Sequence, residues 1–155
     1  MRGADARTMA TWRYDGPLAL YNLQPADVPE LLADLPSFVA AVDDRAELVG
    51  YVMSGVGAQV PGGRDAGLYP PDALDIGLGL RPDLVGQGNG VRFMVAGLAH
   101  LQATLTPPSE RFRLSVAAFN TRAIHVYTRA GFRTSAHFSN PERDRLTPFV
   151  LMRRP

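Results

Sequence analysis

Residues 74–90, LDIGLGLRPDLVGQGNG, combine a strand, a turn and the start of a helix. Over Leu74–Leu80, apolar residues alternate with an aspartate and two glycines, which predicts a strand with one unusually bare face. Pro82 follows this strand. The next segment has a glycine at every second position, at Gly86, Gly88 and Gly90. The order predicts that the chain turns sharply from a strand into a helix on these glycines.

Such a turn has the chemistry of an anion site. Glycines let the backbone approach a ligand closely. The first amides of a helix have no partners within the helix, and the helix dipole favours negative charge there. The pattern therefore predicts a pyrophosphate site, although taken alone it is also typical of a tight strand-to-helix connection. It lacks the Gly-Lys-Ser/Thr of a P-loop and the acidic residue that holds a ribose in dinucleotide folds.

A second segment, FRLSVAAFNTRAIHVYTRAGF at residues 112–132, predicts a strand followed by a helix over residues 120–130. Asn120 and Tyr127 are separated by nearly two helical turns, so both side chains fall on one face of this helix. That face therefore begins with an amide and carries a phenol two turns later.

Together the two segments resemble the motifs of the GNAT superfamily of N-acetyltransferases, over about residues 36–138. That family has a strand, a proline and Arg/Gln-x-x-Gly-x-Gly/Ala opening a helix, and later Asn, Ala-Ile, Tyr and Gly-Phe. The matching positions here are Pro82, Gly88, Gly90, Asn120, Ala123-Ile124, Tyr127 and Gly131-Phe132. Val85 stands where the family has Arg or Gln, and Gln87 and Arg92 are the side chains expected to substitute in part.

The resemblance implies an α/β (α+β) fold, one N-acetyltransferase domain over residues 1–155. Its mixed, mostly antiparallel sheet would be splayed in the middle, with helices on both faces. The sequence pattern agrees with a mixed sheet. The predicted helices cover residues 5–14, 25–32, 91–105 and 120–130, with Asp27 as an N-cap and Pro107-Pro108 ending the third helix. The predicted strands cover residues 38–42, 48–54, 74–80, 112–117, 132–138 and 148–153, with a loop over residues 55–71.

The resemblance also implies acetyl-CoA as cosubstrate and no metal. The pantetheine arm would lie between the strands at 74–80 and 112–117, and the pyrophosphate would lie on the amides of the glycine turn. The cofactor-binding residues implied are Leu78, Gly79, Leu80, Val85, Gly86, Gln87, Gly88, Asn89, Gly90, Val91 and Asn120.

The implied reaction is acetyl transfer to a primary amine by direct attack in a ternary complex. Tyr127 would act as general acid toward the departing thiolate, and the Leu80 N–H would stabilise the oxyanion. Some family members carry a glutamate base where this chain has Ser115. Asp75 is the first candidate for the base in its place, and a hydrogen-bonded structural carboxylate is the alternative.

Two other functions remain open at this stage: an acyl-CoA-binding module without turnover, and a dimerisation or interaction protein that shares only the fold. The acceptor is a small-molecule or peptide amine that the sequence does not identify. Trp12, Tyr14 and Tyr21 either pack in the core or form an aromatic wall of the acceptor pocket.

Composition sets the remaining limits. Lys plus Arg total 16 and Asp plus Glu total 15, so charge gives no case for a nucleic-acid or membrane partner. There is no cysteine, and the three histidines are scattered, so no thiolate nucleophile or metal site is predicted. The polar N-terminus and the absence of a long apolar run predict a cytoplasmic protein. A homodimer is also compatible with this pattern.

Overall fold

A computed structural model describes residues 1–106, 108–142 and 145–155 of the chain. The strands in these ranges are β1 Phe38–Val42, β2 Leu48–Ser54, β3 Leu74–Leu80, β4 Phe112–Ala117, β5 Arg133–Glu142 and β6 Arg145–Arg154. The α-helices are α1 Gly3–Met9, α2 Val28–Ala33, α3 Pro61–Asp65, α4 Gly90–Thr104 and α5 Thr121–Arg129. None of these helices is long and apolar enough to cross a membrane.

The six strands form one sheet in the order β1-β2-β3-β4-β6-β5. Neighbouring strands are antiparallel except β3 and β4, which are parallel. β3 and β4 pair only where Leu74 meets Phe112 and Asp75 meets Arg113, and beyond these two rungs the strands separate. The predicted mixed, mostly antiparallel sheet that splays in the middle is therefore confirmed.

Helices cover both faces of the sheet, as predicted. On one face α4 and α5 pack over a core that includes Ile76, Met94, Leu98, Phe112 and Phe132. α4 covers this face of the sheet because its own apolar residues recur at helical spacing and so lie on one side of the helix. On the other face α1 and α2 cover a second, smaller cluster with Trp12 and Leu31 among its buried members.

The face of β3 that the sequence leaves bare is covered by its neighbour. Tyr51 and Met53 of β2 lie opposite Gly79 and Gly77 in the register, on the same face of the sheet. A Cβ on Gly77 would lie 2.9 Å from Met53 Cγ, and one on Gly79 would meet the Tyr51 ring. The glycines thus make room for two side chains of β2, and all four residues line the same cavity.

The element boundaries in the first half of the chain differ from the prediction. α1 ends at Met9 rather than residue 14, and the Tyr14 N–H bonds instead to Asn22 Oδ1 at 2.7 Å. The predicted loop over 55–71 contains the short helix α3. Asp27 precedes α2 but does not cap it with its side chain, because its carboxylate accepts from the Gln24 N–H at 2.7 Å in the short 3-10 helix Pro25–Asp27.

The last two strands form a longer hairpin than predicted. β5 continues to Glu142 through Pro141, a residue that sequence patterns place in turns. Proline is tolerated there because β5 lies at the edge of the sheet. α4 ends at Thr104, and of the Pro107-Pro108 pair predicted to stop it, Pro107 lies outside the described residues.

Candidate active site

A cleft of about 970 Å³ opens where β3 and β4 separate, walled also by α4, α5 and the segment from Tyr14 to Tyr21. Most of the residues predicted to bind cofactor or act in catalysis line it. They are Leu78, Gly79, Leu80, Val85, Gly86, Gly88, Gly90, Val91, Asn120 and Tyr127. Among the residues that line the cleft, three predicted site residues are missing: Asp75, Gln87 and Asn89.

The edge of β3 that faces the cleft carries backbone hydrogen-bonding groups. The Leu74 N–H points toward β4, where it bonds to the Arg111 carbonyl, while the Arg81 N–H points toward β2 and bonds to Val49. Because directions alternate along a strand, the backbone groups of Leu78 and Leu80 face the cleft and those of Gly79 face β2. Two of the three predicted backbone contacts are thus directed into the cleft.

The glycine turn between β3 and α4 requires glycine for two different reasons. Gly86 and Gly88 have φ of +84° and +82°, in the region that residues with a side chain rarely adopt. Gly90 is needed for space, because a Cβ there would lie 2.8 Å from Val126 Cγ2 of α5. Asn89 caps α4 without a side-chain hydrogen bond. The first amides of the helix are therefore not satisfied by this cap, as an anion site requires.

A cation lies beside this turn, but it comes from α5. The Arg122 guanidinium lies over Gly86, where a Cβ would meet its Nη1 at 2.9 Å, and Arg122 lines the cleft. Gln87 instead bonds through Nε2 to the Asp83 carbonyl at 2.6 Å, and Arg92 is exposed away from the cleft lining. Sequence reasoning missed Arg122 because no pattern within a single chain shows that the start of α5 lies against the turn before α4.

Asn120 stands at the start of α5. Its Oδ1 accepts from the Ala123 N–H at 3.2 Å, so it is the N-cap of the helix, and it also lines the cleft. The structural and functional interpretations of this residue are therefore compatible, because the cap uses the oxygen and leaves the amide NH₂ for other contacts.

Tyr127 lies two turns further along α5, where it lines the cleft and contacts Phe132 at a ring separation of 6.2 Å. Burial raises the pKa of its phenol above the ordinary value of 10.0, and the nearby Tyr21 and Tyr51 raise it further. A phenol with a raised pKa stays protonated at neutral pH. Tyr127 is thus able to donate a proton and poorly able to accept one.

Asp75 is held in an ion pair outside the cleft lining. Its two oxygens bind Arg113 at 2.5 and 3.0 Å, and Gln59 Nε2 donates to Oδ2 at 2.7 Å. Asp75 is 6% exposed and Arg113 is 1% exposed. These contacts favour the structural alternative for Asp75 over the role of general base, because its lone pairs are already engaged by a buried cation.

The N-terminal segment closes one side of the cleft with two tyrosines. The Tyr14 hydroxyl donates to the Leu80 carbonyl at 2.7 Å, and the Ala117 N–H donates to the Tyr21 hydroxyl at 3.4 Å. The two phenols therefore contact the separated ends of β3 and β4. Trp12 is buried and stacks on Tyr51 at 6.2 Å. Of the two open interpretations, packing holds for Trp12, and Tyr14 and Tyr21 belong to the cleft wall.

Two further side chains near this wall were not predicted as site residues. Glu142 of β5 lines the cleft, and so does Ser115, whose hydroxyl hydrogen-bonds to that of Tyr69 at 2.7 Å. Glu142 was not predicted as a site residue because Pro141 before it favours a turn, and a turn residue is not expected to line the cleft. In the described part of the chain, no group of three or more His, Asp or Glu is arranged to hold a metal ion.

Comparison with known proteins gives a consistent result. The family described as Acetyltransferase (GNAT) matches residues 7–132. No curated protein sequence matches the chain. Among solved structures, a spermidine N-acetyltransferase SpeG chimera from Vibrio cholerae and hSSAT is similar with a TM-score of 0.74 and 18% identity, over 99% of this chain and 91% of the other.

Two complexes are also similar. A GNAT superfamily phosphinothricin acetyltransferase from Sinorhizobium meliloti in complex with AcCoA has a TM-score of 0.70 and 16% identity, over 100% of this chain and 85% of that one. Spermidine N-acetyltransferase from Vibrio cholerae in complex with CoA and spermine has a TM-score of 0.72 and 16% identity, over 99% and 90%. At these identities the similarity is one of fold.

Proposed function

This chain belongs to the acetyltransferase (GNAT) family, and from that premise we propose that it transfers an acetyl group from acetyl-CoA to a primary amine by direct attack. The observation that carries the proposal is the continuity of the cleft. One cavity is lined by the glycine turn, by the cleft-facing edge of β3 and by Tyr127. An anion site, a strand edge and a proton donor are thus arranged along a single path.

The residues of the chain fit the cosubstrate at each part of this path. The positive φ angles of Gly86 and Gly88 leave the backbone exposed to a phosphate without a side chain in between. The guanidinium of Arg122 beside them supplies positive charge that position 85 lacks. The backbone groups of Leu78 and the N–H of Leu80 are directed into the cleft for strand-like pairing with an amide-containing arm, while the Leu80 carbonyl already accepts from the Tyr14 hydroxyl.

The proposed reaction balances with the groups at hand. When bound, acetyl-CoA supplies the acetyl group as a thioester. A neutral amine forms the C–N bond as the C–S bond breaks, the Leu80 N–H donates to the oxygen while it carries negative charge, and Tyr127 gives its proton to the departing sulfur. The amine nitrogen loses one proton, and Tyr127 regains one through water. No base is assigned among the chain's own residues.

A module that binds acyl-CoA without turnover is the second candidate, favoured by one observation. Asp75, the carboxylate within β3, is bound by Arg113 and is therefore not free to act as the base.

Two measurements, made one after the other, test the proposal. Titration calorimetry with acetyl-CoA is expected to show binding, and absence of binding at millimolar cosubstrate would contradict both candidates. Release of free CoA thiol is then followed with a panel of primary amines. Release that depends on an amine supports the transferase, whereas binding without release with every amine supports the module.

A further inference from the structure

The charges that line the cleft are unevenly distributed. Arg122 and Arg129 line it from α5, and Arg122 lies at the glycine turn. Among the described residues that line the cleft, Glu142 is the one with a carboxylate, and it comes from β5. The positive charges therefore lie along the wall that carries the proposed phosphate site, and the negative charge lies on a different wall.

Glu142 is held in place by a buried neighbour. Asn140 is 4% exposed, and its Nδ2 donates to Glu142 Oε1 at 2.7 Å. The Oδ1 of Asn140 accepts from the Gly62 N–H at 2.7 Å, which ties it to α3. A buried amide whose oxygen is fixed by the backbone presents its NH₂ in one direction. The carboxylate is thereby oriented at the edge of the cleft rather than left to rotate in solvent.

The carboxylate also shares its surroundings with the acceptor wall. Glu142 and Tyr21 both line the cleft. Tyr21 is the residue that contacts the end of β4 across the cleft. Glu142 and the two tyrosines therefore face the same cleft, and Glu142 enters it from β5 whereas Arg122 enters it from α5.

We propose that Glu142 binds a positively charged group of the acceptor, so that the preferred acceptors are small amines with a second cationic centre besides the nitrogen that is acetylated. The proposal rests on the proposed function. The reacting nitrogen must be neutral when it attacks, so a lasting ion pair with Glu142 needs a different nitrogen. A single oriented carboxylate matches one such centre.

A matched pair of acceptors tests this specificity. Putrescine and the amino alcohol of the same chain length present the same reactive amine and differ in the distal group, a cation or a hydroxyl. We expect the wild-type protein to prefer the diamine in kcat/KM by about tenfold, the effect of one charge-assisted contact. In Glu142→Gln this preference is expected to disappear, mainly through the KM of the diamine, while the KM of acetyl-CoA is unchanged.

Glu110→Gln is the matched control, because it makes the same change at an exposed residue outside the cleft lining and should keep the preference. Glu142→Asp, which retains the charge, should recover part of it. A preference that persists in Glu142→Gln would overturn the proposal, and so would a wild-type protein that acetylates both acceptors equally well.

A binding measurement separates this proposal from the proposed function. Putrescine is titrated into the CoA-loaded protein by calorimetry, which requires no turnover. Binding to the wild-type protein that is lost in Glu142→Gln supports the role of Glu142 even if no acetyl transfer occurs. Failure of the wild-type protein to bind the diamine overturns the inference and leaves acetyl transfer to other amines unaffected.

Discussion

Burial keeps the phenol of Tyr127 protonated at neutral pH, so the proton that a general acid donates is present. We expect Tyr127→Phe to lower kcat by about a hundredfold, at the lower end of what general acids contribute. The affinity for acetyl-CoA should change little, because the substitution removes one hydroxyl and keeps the ring against Phe132. Steady-state kinetics and calorimetry measure the two quantities, and an unchanged kcat would remove Tyr127 as the acid.

The pH dependence of the wild-type protein follows from the same environment. An acid acts only while protonated, so its contribution is lost as pH rises through its pKa. Since burial raises the pKa of Tyr127 above 10.0, that loss belongs above pH 10.0. The Tyr127 contribution to kcat should therefore be constant through neutral and mildly alkaline pH. The measurement is the ratio of the wild-type kcat to the Tyr127→Phe kcat across the pH range. A ratio that already decreases at a pH lower than 10.0 would contradict the assignment.

Arg122 is the residue for which the structure adds most to the sequence. Arg122→Gln removes the guanidinium over Gly86, and we expect the KM of acetyl-CoA to rise about tenfold with little change in thermal stability. Arg92→Gln is the matched control, since Arg92 belongs to α4 but is exposed and outside the cleft lining. An equal effect of the two substitutions would show that general charge, not position, attracts the cosubstrate.

At the scale of elements, the turn between β3 and α4 contains a glycine that is required for its backbone conformation and not for lack of space. Gly88 has a φ of +82° and no atom lies within 4 Å of a Cβ built on it. Gly88→Val therefore meets no clash but strains the backbone by about 1–3 kcal/mol, which the turn relieves by moving its amides. We expect acetyl-CoA binding to be lost while the circular dichroism spectrum of the fold is retained.

The control for this substitution is another glycine with the same properties in a different place. Gly67 has a φ of +67°, open space around a Cβ and no part in the cleft lining. Gly67→Val should strain its turn similarly and leave acetyl-CoA binding intact. Normal affinity in Gly88→Val would contradict the phosphate site at this turn.

The elements also show what a single sequence can and cannot predict. α4 and α5 were predictable because their apolar residues repeat at helical spacing and glycine or asparagine marks their ends. β5 was predicted too short because a proline favours a turn over a strand interior, and the edge position that accommodates Pro141 is a property of the assembled sheet. The glycines of β3 predict a bare face, but the side chains that lie against it, Tyr51 and Met53, belong to another strand and are not evident from β3 itself.

The residues of the candidate site also fall into two groups, those that a local sequence pattern predicts and those that only the folded chain brings to the cleft. Gly86, Gly88, Asn120 and Tyr127 lie in local motifs, and the sequence places them together through a resemblance to a family. Arg122 and Glu142 reach the cleft through contacts between elements far apart in the chain. Local patterns thus predict the motif residues, while the presence of Arg122 and Glu142 in the cleft depends on long-range packing.

At the scale of the whole molecule, the sheet consists of two halves that meet at one short junction. β1–β3 form one half and β4–β6 the other, and in the described part of the chain the strands of the two halves pair at Leu74–Phe112 and Asp75–Arg113. The ion pair of Asp75 with Arg113 lies at this junction and is buried. It therefore joins the halves at the point from which the cleft opens.

Asp75→Asn tests this structural role against the role of base. The substitution keeps the shape of the side chain but leaves the buried Arg113 with only the more exposed Asp72, at 3.3 Å, as counter-charge. The loss costs up to about 3–5 kcal/mol of unfolding free energy. Urea unfolding measures the loss, and Asp83→Asn, which breaks the exposed pair with Arg81, should change stability little. If the ion pair only joins the two halves, kcat per folded molecule stays within a few-fold of wild type. Unchanged stability with a collapse of kcat would instead make Asp75 the base, because a carboxylate that can be removed without structural cost was not holding the junction.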